Sequence, residues 1–115
     1  MNIVVLIGRL TKDMELKYTP GSNIPVGNFY LAVERKNSKD KPKQADFIPC
    51  VIWGKLAEST AKYMTKGKLI SLRGEIKTDS YKTKDGAKRY VMKIITDQVS
   101  FLSKSNELDN TDPFN

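Results

Sequence analysis

The stretch FIPCVIW, residues 47–53, decides how the chain is read. Side chains alternate in direction along a strand. Ile48, Cys50 and Ile52 then form one apolar face, enough for a core. Phe47, Pro49, Val51 and Trp53 form the other. A strand that meets water on one side carries polar residues there. This one carries two large aromatics. Its second face therefore meets a buried layer, another subunit or a flat ligand.

Working outward, residues 55–66 predict a helix with Leu56, Ala57, Thr60, Ala61 and Met64 on one stripe, closed by Gly67 as a left-handed cap. Residues 68–81 predict a long strand, residues 82–88 a hairpin turn centred on Asp85-Gly86, and residues 89–102 a last strand. Upstream, KNSKDKPKQAD (36–46) is a lysine-dense hydrophilic loop. Residues 27–35 alternate, with Phe29, Leu31 and Val33 on the core side, and TPGSNIPVG (19–27) is turn chemistry. Residues 2–10 are apolar on both faces: Ile3, Val5 and Ile7 on one, Val4, Leu6 and Leu10 on the other. Such a strand is covered twice, and a second subunit would supply the second cover. Residues 15–18 continue it after a break near Asp13. The order is three strands, one helix, two strands. That is the element order of an all-β OB-fold, a five-stranded Greek-key barrel with one helix between the third and fourth strands. The barrel is expected over residues 1–102. Residues 103–115, SKSNELDNTDPFN, have no periodicity and predict a short disordered acidic tail.

The 115 residues suit one domain with a modest core. The formal charge is +7. The tail holds Lys104 against Glu107, Asp109 and Asp112, a balance of −2, which leaves +9 on residues 1–102. A basic body points to a polyanionic partner, although a lysine-rich solvated surface would give the same count. There is no histidine and one cysteine. This removes the commonest general base and leaves no zinc site, so neither catalysis nor a metal or cofactor is expected. No phosphate-binding glycine loop occurs. No run approaches the roughly 20 apolar residues of a membrane span. The opening MNIVVLIGR is too short for a signal-peptide core, which predicts a protein of a reducing cytoplasm.

The strand over 68–81 separates the readings of the aromatic face. Ile70, Leu72, Gly74 and Ile76 make its expected core side. Ser71, Arg73, Glu75, Lys77, Asp79 and Tyr81 make the other. Tyr81 thus lies on a charged face near Lys77. Every nucleobase has a π-face, so exposed aromatics among cations hold a nucleic-acid strand without regard to sequence. With Phe47, Trp53, the loop lysines and Lys82, Lys84 and Lys88, the pattern predicts nucleic-acid binding.

Five stretches carry a resemblance: MNIVVLIGRLTKDMELKY, FYLAVER, DFIPCVIWGKLAE, YMTKGKLISLRGEIKTDSY and DGAKRY. In this order, from residue 1 to about 102, the chain resembles bacterial single-stranded DNA-binding proteins. The resemblance implies an OB barrel assembled as a homotetramer, acting in replication, recombination and repair at the nucleoid. It implies stacking on Phe47, Trp53 and Tyr81 and basic contacts at Lys17, Lys55 and Lys77. Arg35, Lys36, Arg73, Lys82 and Lys84 complete the expected DNA contacts. A further aromatic of the family meets Asn37 here. The family's acidic tip ends in Pro-Phe and docks on replication and repair proteins. Asp109, Asp112, Pro113 and Phe114 match it in kind, but Asn115 follows the phenylalanine. A replisome adaptor with this fold and an RNA-binding module are the competing readings.

Overall fold

The computed structural model describes residues 1–36 and 43–102. Its elements are β1 (Val4–Leu10), β2 (Glu15–Tyr18), β3 (Pro25–Glu34), β4 (Ala45–Trp53), α1 (Lys55–Thr60), a 3-10 turn at Ala61–Tyr63, β5 (Leu69–Lys82) and β6 (Lys88–Phe101). The sheet runs β1-β5-β6-β4-β3-β2, and an additional β1–β3 pairing closes it. The closed ring therefore has five strands: β1, β5, β6, β4 and β3. All its pairings are antiparallel except β4–β6, which is parallel. This is the OB-fold barrel.

The sixth strand is the second half of a broken first strand. β1 meets β3 at Leu10↔Leu31, and β2 resumes along β3 at Glu15↔Asn28. The break is pinned by the end of the helical segment. Met14 N–H donates to the Met64 carbonyl at 2.8 Å, and Lys66 N–H donates to Asp13 Oδ1 at 2.8 Å.

The helix is shorter than its apolar stripe predicts. Thr60 Oγ1 bonds back to the Leu56 carbonyl at 2.6 Å, and Met64 N–H is shared between the carbonyls of Thr60 and Ala61. Met64 then leaves helical geometry and is fully buried. Its burial outweighs another helical turn. Gly67 does adopt positive φ, at +84°, but it serves the following turn and not the helix. Its N–H donates to the Leu10 carbonyl at 2.8 Å, while Lys68 N–H closes the turn on Thr65.

The core gathers Leu10, Phe29, Leu31, Cys50, Ile52, Ala57, Met64, Ile70, Leu72 and Ile94. Burial pushes the Cys50 thiol up from an ordinary value near 9 to about 12, so it is inert packing. Ile76, expected in the core, is 42% exposed. The last β1–β5 pair is Val4↔Gly74, so no strand flanks β5 on that side at Ile76. At Arg73/Gly74 the pairing with β6 shifts from Gln98 to Thr96, which leaves Asp97 as the extra residue of a bulge. Beyond the bulge β5 loses β1 after Gly74, whereas β6 stays paired with β4 through Ile94; from Lys77↔Lys93 outward the two strands form a hairpin arm with exposed faces.

Closure depends on Gly8. A Cβ there would collide with the Ala32 carbonyl of β3. The clash is with backbone, which cannot rotate away. Gly8→Ala should therefore destabilise by about 1–3 kcal/mol, the usual cost of overpacking, and urea unfolding will measure it.

Candidate nucleic-acid interface

The outer face of β3 and β4 is built by register. Val26↔Trp53, Asn28↔Val51, Tyr30↔Pro49 and Ala32↔Phe47 are direct partners and share that face. Phe47 is 64% exposed and Trp53 49%. Phe47 stands clear because its partner is only an alanine. Val51, predicted to stand beside them on the outer face, is 3% exposed. It lies between Asn28 of β3 and Ile95 of β6, which cover it. Val51 is therefore floor, with the aromatics at its two ends.

The hairpin arm adds charge. On the arm face that continues this surface, Lys77 faces Lys93, Asp79 faces Val91, and Tyr81 faces Arg89. Trp53, Val26, Asn28 and Val51 line an open groove of about 310 Å³ together with Lys77, Asp79, Val91, Lys93 and Ile95. Trp53 and Lys77, predicted from separate strands, thus meet in one depression. Tyr81 is half-exposed and lies farther along the arm toward its tip. Lys82 sits opposite Lys88 on the other face of the arm, and Lys84 is exposed in the turn. That turn is held by Asp85, whose carboxyl is lowered by the Thr83 hydroxyl and the Ala87 N–H.

The remaining predicted cations differ in how free they are. Lys17 shares a row with Val26 and Trp53, and pairs with Glu15 at 2.9 Å. The pair is exposed and weak enough to exchange. Its effect is to raise Lys17 and lower Glu15. Lys55 opens α1 just after Gly54, whose φ of +70° turns the chain away from Trp53. Arg35 is held by Asp46 at 2.7 Å and by Gln44 at 3.2 Å. Arg73 is held by Asp97 at 3.1 Å, and it lies across from Val5 on the β1 side of the barrel, outside the Trp53 groove. Lys36 is exposed. Asn37 and the tail residues Asp109, Asp112, Pro113 and Phe114 lie outside the described residues.

Tyr30, Lys93 and Arg89 belong to this surface and were not singled out in the sequence. Tyr30 was legible: it alternates with Phe29 and Leu31, which face inward. Lys93 and Arg89 become neighbours of Lys77 and Tyr81 only once the β5–β6 register is known. Among the described residues no group of three or more His, Cys, Asp or Glu could hold a metal ion. No helix among them is long and apolar enough to cross a membrane.

A closed OB barrel with half-exposed aromatics and lysines along one groove defines a class, that of modules shaped for an unpaired nucleic-acid strand. The sequence comparisons narrow it. Residues 1–102 match the model of the Single-strand binding protein family. A single-stranded DNA-binding protein of Clostridium tetani is 60% identical over 107 residues, covering 93% of this chain and 74% of the relative. Single-stranded DNA-binding protein 3 of Clostridium acetobutylicum is 56% identical over 119 residues, covering 100% and 82%. Single-stranded DNA-binding protein 1 of Streptococcus pyogenes serotype M18 is 45% identical over 112 residues, covering 96% and 85%. The chain belongs to the single-strand binding protein family.

Exposure predicts that the aromatics contribute little to folding. Trp53→Ala and Phe47→Ala should each cost much less unfolding free energy than a core truncation, about 1 kcal/mol, the typical effect of a point substitution. Ile52→Ala, fully buried between them, should cost about 2–5 kcal/mol. Thermal melts of the three variants compare them directly.

Proposed function

We propose that this protein binds and protects single-stranded DNA without strong sequence preference, in replication, recombination and repair. The observation that carries the reading is Trp53, half-exposed in a groove shared with Lys77 and Lys93. Bases stack on Phe47, Trp53 and Tyr81. Lys17, Lys36, Lys55, Lys77, Lys82 and Lys84 neutralise phosphates. Arg35 and Arg73 rank behind them, because each must first release an aspartate. Neither chemistry requires a cofactor or a catalytic group, and we assign the protein no reaction.

The same reading takes the working form to be a homotetramer in the cytoplasm, associated with the nucleoid. Ile3, Val5 and Ile7 support the assembly, since all three are exposed in the single chain, Val5 and Ile7 on the outer side of β1 and Ile3 just before it. A row of three aliphatic side chains suits a protein contact better than a phosphate chain. The tail, through Asp109, Asp112, Pro113 and Phe114, would recruit replication, repair or recombination proteins, acids and one aromatic anchor suiting a basic grooved surface.

The deciding experiment is a titration of Trp53 fluorescence with poly-dT and with duplex DNA at several salt concentrations. Poly-dT should bind far more tightly, because pairing hides the base faces. Log affinity should fall linearly with log salt, by about 0.7 for each phosphate neutralised. Trp53→Ala and Tyr81→Ala should each weaken binding by about 1–3 kcal/mol. Equal affinity for duplex and single strand would refute stacking.

Assembly is tested separately by light scattering at micromolar concentration. The expected mass is four times the 13.0 kDa chain, and a Val5→Asp substitution should reduce it. A parent protein that scatters as a monomer refutes the tetramer.

A further inference from the structure

A second groove, of about 350 Å³, adjoins the first. The two share Asn28, Val51 and Lys93, so they form one continuous track over the Val51 floor. The second groove is lined by Tyr30, Pro49, Lys12 and Lys93, together with the acids Asp13 and Glu15. Both acids are already engaged: Asp13 accepts from Lys66 N–H, and Glu15 pairs with Lys17. Lys12 and Lys93 make no ion pair among the described residues. Tyr30 is 56% exposed, and its hydroxyl makes no hydrogen bond among the described residues. An exposed ring without a polar partner, beside free cations, is poorly explained by folding.

We propose that Tyr30, with Lys12 and Lys93, forms an additional base-and-phosphate subsite for single-stranded DNA, between those of Trp53 and Phe47. The inference rests on the binding function proposed above and extends its track. Trp53 and Phe47 are six positions apart on β4, or ~20 Å at the rise of a strand. Tyr30 pairs with Pro49, which lies between them, one strand over. A strand crossing from one aromatic to the other passes its ring.

The charges favour the same path. Lys77 and Lys93 are direct cross-strand partners. Like charges placed so cost stability. Asp79 lines the first groove too, but its Oδ1 accepts from Ser80 N–H at 2.8 Å. A phosphate between the two ammonium groups relieves their repulsion, which directs the backbone from the Trp53 groove into the Tyr30 groove.

The test uses the full chain and an oligo-dT probe carrying 5-iodouracil. Ultraviolet cross-linking and peptide mapping should find an adduct on Tyr30. Tyr30→Ala should weaken oligo-dT binding about tenfold, as loss of one stacked base does, whereas Tyr30→Phe should stay within about twofold. Lys93→Ala should lower the salt slope by about 0.7, the share of one phosphate on a single strand. If Trp53→Ala weakens binding but Tyr30→Ala binds as the parent does, the subsite is wrong and the general function stands. If the parent does not bind oligo-dT, both fall. If Tyr30→Ala changes the mass in light scattering and leaves affinity intact, Tyr30 is a subunit contact and the proposal is overturned.

Discussion

Everything on the outside of this molecule depends on how β1 closes the barrel. One strand has to pair with β5 along most of its length and with β3 at its end. The β3 pairs at Arg9 and Leu10 close the ring, while the earlier part of β1 pairs on the β5 side alone. The approach is possible because Gly8 has no side chain to strike the Ala32 carbonyl. Gly74 does the same at the other corner, where a Cβ would strike the Ile95 carbonyl. These two close approaches let the strands come together at both corners, with one face of each strand turned inward. Leu31, Ile52 and Ile70 inside the ring are fully buried. What remains, Tyr30, Phe47 and Trp53 among them, is forced out.

The second corner also produces the arm. Past the Asp97 bulge, β5 and β6 keep their mutual pairing for nine further pairs, from Gly74↔Thr96 to Lys82↔Lys88, of which the six from Lys77↔Lys93 outward have no other strand beside them. A two-stranded ribbon buries little, so its faces are free to carry charge and aromatics. Asp97 itself turns its carboxylate to Arg73, which explains why that arginine is occupied on the β1 side and absent from the groove. One irregularity therefore separates a cation that stays with the barrel from cations that travel with the arm.

The sequence made strand parity legible and left strand ends and partners obscure. Alternation in residues 47–53 correctly turned Cys50 and Ile52 inward and Phe47 and Trp53 outward, because large side chains on a pleat have only two directions. The same rule sent Val51 outward, where two neighbouring strands cover it, and neither was visible in its own stretch. Ile76 has the parity of Ile70 and Leu72 but stands beyond the bulge, and nothing local marks where a barrel stops. The helix was overextended because its apolar stripe runs on to Met64, whose burial is achieved by breaking the helix. Arg35 and Arg73 read as free cations because their aspartates are eleven and twenty-four positions away. The lysine loop beyond Lys36, read from composition, and the tail, read from composition and the family resemblance, fall outside the described residues except at the loop's ends.

Two exposed apolar surfaces coexist here, and their chemistry distinguishes them. Along β1, Ile3, Val5 and Ile7 are aliphatic; Arg73 opposite Val5 is paired with Asp97, and Arg9, next on the same face, donates to the Gly67 carbonyl. Along β3, β4 and the arm, the exposed groups are aromatic and stand among lysines without acid partners. Aliphatic side chains gain from any dry neighbour, and a second copy of the same row is as dry as the first. Flat π-faces gain most from flat partners, and unpaired lysines gain from anions. A polymer of bases and phosphates supplies both, alternating along one chain. The two surfaces lie on different strands, and a substitution in one leaves the groups of the other in place.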